Sequence, residues 1–183
     1  YKRQGGPKQA IAMLNMNLDM NITDFVTIGF DGLIDVIDAV GGIEIDVQEN
    51  EIVHLNSYQI SMVGKQDGTV NAKGEPNYVA TAGVDYTPVT KAGLQTLNGL
   101  QATAYCRIRY SPFTAADGTV YHNDYGRTAR QRLILTKILE KAQSAGVNQL
   151  IKVADTIIKE NDINGSKILS TNIPWNRIVD LLT

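Results

Sequence analysis

Apolar residues follow two different rhythms over the first 47 positions. Ile11, Leu14 and Leu18 recur at helical spacing after Pro7, a residue suited to a first helical turn, which predicts a helix over about 7–18. Phe25-Val-Thr-Ile-Gly-Phe30 is short, β-branched and aromatic, as strands are. Asp31 then reads as the cap of a helix carrying Leu33, Ile34, Ile37 and Val40, with Gly41-Gly42 as its stop. Ile43-Glu-Ile-Asp-Val47 alternates with period two. The order helix, strand, helix, strand favours a sheet with helices packed on it, the α/β class in its mixed α+β form.

Beyond Val47 the rhythm weakens. Residues 48–64 read as a further helix with Ile52, Leu55 and Tyr58 on one side, while Gly64 to Pro88 is rich in Gly, Asn, Asp, Thr and Pro, holds no period and reads as a loop excursion. Gly93-Leu-Gln-Thr-Leu-Asn-Gly-Leu-Gln-Ala-Thr-Ala-Tyr-Cys-Arg-Ile-Arg109 is expected to be a short helical stretch running into an Arg-x-Arg pair, followed by a polar loop to Asn123. The clearest helix runs from Asp124 to about Ser144, with Leu133, Ile134, Ile138 and Leu139 on its apolar side and Gly146 as its stop. Further helices are expected over about 147–159 and 174–182.

At 183 residues the chain reads as a single domain over 1–183, and 43% apolar with 20% charged residues excludes disordered and collagen-like classes. With a net charge of −2 the chain as a whole is not a polycation built for the phosphates of a nucleic acid, so any anion site must be local. One cysteine, Cys106, excludes an intrachain disulfide framework, and the longest apolar run, Ala10 to Leu14, falls far short of the roughly 20 residues of a membrane span. The chain starts at Tyr1 rather than Met, which reads as a piece of something longer with an anchor upstream.

Charge is unevenly placed. Of seven arginines, Arg107, Arg109, Arg127, Arg130 and Arg132 lie within one short stretch beside only Asp117 and Asp124, which leaves that stretch at +3 and the rest of the chain at −5. On a helix Asp124, Arg127 and Gln131 fall on one polar face with Arg130 beside it. Cations near a helix N-terminus oppose its dipole, and an anion bound there removes the conflict. Free first-turn N–H groups and guanidinium forks suit a phosphate or diphosphate, and Asp124 suits orienting an arginine, holding a metal or acting as a base. The bland alternative is a solvated amphipathic helix whose arginines pair with acidic neighbours. His54 and His122 have no metal-ligand spacing, and Ser57, Ser111 and Thr128 have no base at a recognisable spacing. Cys106 reads as a buried small hydrophobe with Arg107 as a neighbour able to lower its pKa.

Three segments in series, Asp24 to Val47, Gly93 to Arg109 and Asp124-Tyr-Gly-Arg-Thr-Ala-Arg-Gln-Arg132, resemble the LytR-CpsA-Psr family. The leucine-asparagine-glycine run, the Arg-x-Arg pair and the Asp-x-x-Arg-x-x-Arg-Gln segment carry the likeness. It covers roughly residues 1 to 145, with the tail as closing helices. The resemblance, with the alternation above, implies a three-layer α-β-α arrangement whose mixed central sheet is flanked by helices. It also implies a phosphotransferase on the outer face of a bacterial membrane that moves a glycopolymer, whether teichoic acid, capsule or another glycan, from a polyprenyl diphosphate carrier to peptidoglycan. By position, Arg107, Arg109, Arg127 and Gln131 would line the diphosphate pocket with Arg130 supporting it, and Asp124 and Arg127 would act in catalysis. Mg2+ on the diphosphate is the implied cofactor, its acidic ligands being expected upstream of Tyr1. The loop from Tyr110 to Asn123 looks longer than is common in the family. Two other readings stand beside the enzyme: a binding module for a phosphorylated lipid or polymer without turnover, and a transcription attenuator. The acidic net charge and the lack of a helix-turn-helix with a basic recognition helix argue against direct DNA binding.

Overall fold

A computed structural model describes residues 6–144, 169–174 and 177. The helix expected over 147–159, and nearly all of that over 174–182, lies outside the described residues. In chain order the elements are α1 (Gly6–Leu18), β1 (Val26–Ile28), α2 (Phe30–Ala39), β2 (Ile43–Val47), α3 (Glu49–Val63), β3 (Lys65–Val70), β4 (Pro76–Val79), β5 (Gly93–Leu97), α4 (Gly99–Tyr105), β6 (Phe113–Thr114), β7 (Val120–Tyr121), α5 (Asn123–Ser144) and β8 (Leu169–Thr171). The α/β class is as expected. Its sheet is finer-grained than one continuous layer, since the described strands form four separate two-stranded antiparallel ladders, β1–β8, β2–β5, β3–β4 and β6–β7.

The β2–β5 ladder sits at the core. Ile43, Ile45 and Val47 point into it while Glu44 and Asp46 face out, so period two in the sequence becomes one buried and one open face. Ile43 pairs with Leu97 and Val47 with Gly93. Here the structure corrects the sequence reading, because Gly93–Leu97 is a strand and only Gly99–Tyr105 is helical. Leu94 and Leu97 have helical spacing, yet on the strand they fall on opposite faces, Leu94 exposed and Leu97 buried, and the cross-strand partner some 50 residues earlier overrides the local spacing.

The Leu97-Asn98-Gly99 run is a joint between strand and helix. The Asn98 side chain accepts a hydrogen bond from the Gln101 N–H at 2.9 Å, and Gln101 Oε1 accepts one from the Asn98 N–H at 3.0 Å, a reciprocal cap. Gly99 donates its N–H to Asp38 at 2.7 Å, and a Cβ at Gly99 would run into the backbone of Ile34. Only glycine lets α4 approach α2 this closely. A Cβ at Gly42, which has φ +81°, would likewise run into the Leu97 carbonyl, so the end of α2 packs closely on the end of β5. Around this joint α2, α3 and α4 bury Ile37, Val40, Leu55, Tyr105 and Ile108, and α5 adds Ile134.

Three smaller corrections concern ends and exposure. Asp31 does not cap α2; Gly29 does, with extended backbone, and Asp31 lies in the first turn, where its carboxylate favours the helix dipole. Leu139 of α5 is exposed, while Leu133 and Ile138 are half-buried. The 64–88 excursion contains a hairpin, β3–β4, whose turn is closed by Asn71 accepting from the backbone of Lys73 and Glu75. The polar loop to Asn123 folds back as the β6–β7 hairpin.

Candidate functional site

The end of α4 sets the Arg-x-Arg pair. The Arg107 N–H reaches the Ala104 carbonyl at 3.0 Å and the Ile108 N–H reaches that of Tyr105 at 3.2 Å, a tight exit turn. Ile108 is wholly buried, so the two arginines flank an anchored residue, and Arg109 emerges beside the start of α5. Asp124 at the start of α5 bridges Arg109, but not Arg107, to the helix: its Oδ2 lies 3.3 Å from Nη2 of Arg109 and its Oδ1 2.8 Å from Nη2 of Arg127. Gln131 donates from Nε2 to the Cys106 carbonyl at 3.5 Å, tying the same face of α5 to the residue before Arg107. Asp124 lies in the first turn of α5, where its carboxylate favours the helix dipole that Arg127 just behind it opposes.

Arg107 is held differently. Its guanidinium carbon lies 5.3 Å from the ring centre of Phe30 and 5.2 Å from that of Tyr58. Arg109 lies 5.8 Å from the Tyr110 ring centre, and Lys73 at the tip of the β3–β4 hairpin approaches the same ring to 5.8 Å. Arg109, Arg127 and Asp124 are each roughly half exposed on their side chains, as a site open to solvent requires.

Arg130 does not join that open set. It is wholly buried, paired through Nη2 with Oε1 of Glu51 at 2.6 Å, and it donates from Nε to the same oxygen at 2.8 Å. Its other donors reach the carbonyls of Ile108, Ser111 and Pro112 at 3.3, 3.0 and 2.8 Å. Its donors are spent within the protein, so the residue holds the chain on both sides of Arg109 in place rather than offering an edge to solvent. Glu51, which the sequence reading passed over, serves two elements, since its Oε2 accepts the Gln48 N–H at 2.9 Å and caps α3 while its Oε1 takes Arg130. An acid three positions into a helix was the signal that could have found it.

The remaining candidates take structural places. Burial pushes the Cys106 thiol up to about 12, so the Arg107 neighbour does not activate it. Burial, with Glu51 adding to it, raises the Tyr105 phenol far above its ordinary range. Ser111 Oγ donates to the Asn50 carbonyl at 3.2 Å and accepts from the Asn50 side chain at 2.6 Å, and Thr128 donates to the Asp124 carbonyl at 2.9 Å. Among the described residues no cluster of three or more His, Cys, Asp or Glu side chains could hold a metal, and both oxygens of Asp124 are engaged by arginines. Arg132 lines a groove of about 700 Å³ beside β2, together with Glu44, Asp46, Phe113 and Lys137.

The α/β domain thus sets two exposed arginines on one acid and a third arginine over two aromatic rings, and guanidinium donors are of the kind that suits anions. The chain belongs to the LytR_cpsA_psr family, whose model matches residues 1–182. It is 29% identical over 171 residues to Biofilm regulatory protein A of Streptococcus mutans, covering 93% of this chain and 34% of that protein. It is 26% identical over 162 residues to the polyisoprenyl-teichoic acid–peptidoglycan teichoic acid transferase TagV of Bacillus subtilis, covering 88% of this chain and 33% of that one. The chain thus spans about a third of the length of these curated relatives. Among solved structures, a transcriptional regulator from Enterococcus faecalis matches at TM-score 0.58 and 26% identity, over 99% of this chain and 49% of that one. TagT bound to LI-WTA shares the fold at TM-score 0.61 and 19% identity, over 99% of this chain and 51% of that one.

Proposed function

We propose that this chain is the diphosphate-binding part of a cell-envelope transferase that moves an anionic glycopolymer from a polyprenyl diphosphate carrier to peptidoglycan. The observation that carries the proposal is the Asp124 bridge, which brings Arg109 and Arg127 together from different elements and leaves their other donors facing solvent. Family membership and the transferase named for TagV support the same reading.

In the reaction proposed, an acceptor sugar hydroxyl oxygen forms a bond to the phosphorus that carries the polymer, and the bond from that phosphorus to the bridging oxygen breaks. The hydroxyl proton leaves to a base, and the carrier departs as polyprenyl monophosphate. Arg107, Arg109 and Arg127 bind the diphosphate oxygens and stabilise the charge that gathers on the leaving phosphate, with Gln131 at the rim. Asp124 orients Arg109 and Arg127, the role its two contacts favour, and Arg127 is the arginine nearest it. Mg2+ belongs to the proposal only as a cation carried by the diphosphate, with no ligand assigned to it here. A place on the outer face of the bacterial membrane, by an anchor elsewhere in the protein, belongs to the proposal as well.

The test is titration of the chain with a short-chain polyprenyl diphosphate, with and without magnesium, beside Arg127→Ala. Saturable binding that weakens in a correctly folded variant supports the reading, and affinity unchanged by the substitution overturns it. Binding without release of lipid phosphate, in a protein spanning the full length of its relatives and given an acceptor, would favour the turnover-free binding module.

A further inference from the structure

We infer that Phe30 and Tyr58 are positioning residues for Arg107, an aromatic clamp that presents the edge of its guanidinium to an anion. This rests on the reading of the arginines as an anion site. Phe30 opens α2 and Tyr58 lies on α3, so two separate helices converge on one side chain, at 5.3 and 5.2 Å from ring centre to guanidinium carbon. Phe30 is 54% exposed, which core packing does not explain.

A guanidinium donates only in its own plane, whereas an aromatic ring attracts a cation at its face. Rings stacked on the guanidinium therefore restrict its rotation without using its donors. Among the described residues, no carboxylate pairs with Arg107 and no carbonyl accepts from its side chain. Arg130 supplies an internal control for this geometry. It too lies over two rings, Tyr105 at 5.5 Å and Phe113 at 5.3 Å, but its edge is filled by Glu51 and by backbone carbonyls. Among the described residues a guanidinium thus lies over two rings at both places, with oxygens of the protein along the edge at Arg130 and none at Arg107. Planar presentation favours a tetrahedral oxyanion that accepts two parallel bonds, which a phosphate provides.

The experiment measures affinity for geranyl diphosphate by calorimetry in the unaltered chain and in Arg107→Ala, Phe30→Leu, Phe30→Tyr, Tyr58→Leu, Tyr58→Phe and the double variant Tyr58→Leu/Arg107→Ala. Circular dichroism checks the folding of each. Either leucine variant should weaken binding about three- to tenfold, the range of a partly desolvated cation–π contact. The Tyr and Phe replacements, which keep a ring, should restore most of that affinity. Tyr58→Leu should cost nothing further once Arg107 is gone. A second readout needs no ligand: the Arg107 Hε proton resonance, displaced by ring currents, should move in the leucine variants and stay in the ring-keeping ones. If Arg107→Ala itself leaves binding unchanged, the site reading fails. If Arg107→Ala weakens binding and folded leucine variants bind as the parent does, the clamp alone is overturned. Because Phe30 is exposed, Phe30→Leu decides the matter even where Tyr58→Leu does not fold.

Discussion

Arg127 and Arg130 stand one turn apart on α5, the first with a side chain 41% exposed and bridged to Asp124, the second with none of its surface open and bound to Glu51. Both are arginine–carboxylate pairs, yet their energetics run in opposite directions. An exposed pair sits in a screened, high-dielectric setting and contributes about 0–1 kcal/mol to folding, so its donors are free for a ligand. A buried pair is costly to assemble and costlier to break, because the partner left behind is a charge without water. Arginine at one position is therefore open to solvent, and at the other it is part of the buried frame.

The largest expected effect tests the buried half of that contrast. Arg130→Met should destabilise the chain by about 3–5 kcal/mol, since Glu51 is left buried and uncompensated. Pairing it with Glu51→Leu should recover a good part of the loss. Urea unfolding of the single and double variants measures both, and a double variant no more stable than the single one would mean that packing rather than charge dominates there.

Arg127→Ala should change unfolding by no more than about 1 kcal/mol yet weaken diphosphate binding by about 1.5–3 kcal/mol, the range of a charge-assisted hydrogen bond. Calorimetry and urea curves on one preparation separate the two numbers. Equal losses in both would erase the distinction between the arginines.

Gly99→Ala presses on the frame at a point with no charge. Its added Cβ meets the Ile34 backbone, so α4 must move off α2 at a cost of about 1–3 kcal/mol, read as a lowered unfolding midpoint.

The smallest effect concerns Cys106. Its thiol is raised from an ordinary value near 9 to about 12, so the folded state holds a proton that the unfolded chain gives up as pH climbs past 9. The associated stability is present below pH 9 and is lost as pH rises through that interval, by up to about 1.4 kcal/mol per pH unit. Stability of Cys106→Ala should fall less steeply between pH 9 and 10 than that of the parent, and parallel slopes would remove Cys106 as a cause.

Much of the fold was readable because it rests on short-range rules. The alternation of Ile43 to Val47 marks β2, and the apolar spacing of Leu33 to Val40 marks α2, without reference to anything distant. Gly93–Leu97 escaped that logic, since Leu94 and Leu97 keep helical spacing and only β2 supplies the missing partner. The excursion after Gly64 hid a hairpin for the same reason, its residues being polar on both faces and exposed throughout β3. At the site, the clustering of Arg107, Arg109, Asp124, Arg127 and Gln131 in sequence pointed to one place. Neither the aromatic partners of Arg107 nor the burial of Arg130 had any local sign.

Residue chemistry along the chain by itself determined the helices, the buried strand β2, the uneven charge and the family, because periodicity, caps and motif order are properties of neighbours. The tertiary structure alone decided which arginine faces solvent and which is walled in. Arg130 finds Glu51 across 79 positions of sequence, and Arg107 finds Phe30 and Tyr58 from two other helices. Burial and stacking depend on what the folded chain brings alongside a residue, so two arginines one turn apart acquire different work only once the chain has closed around one of them.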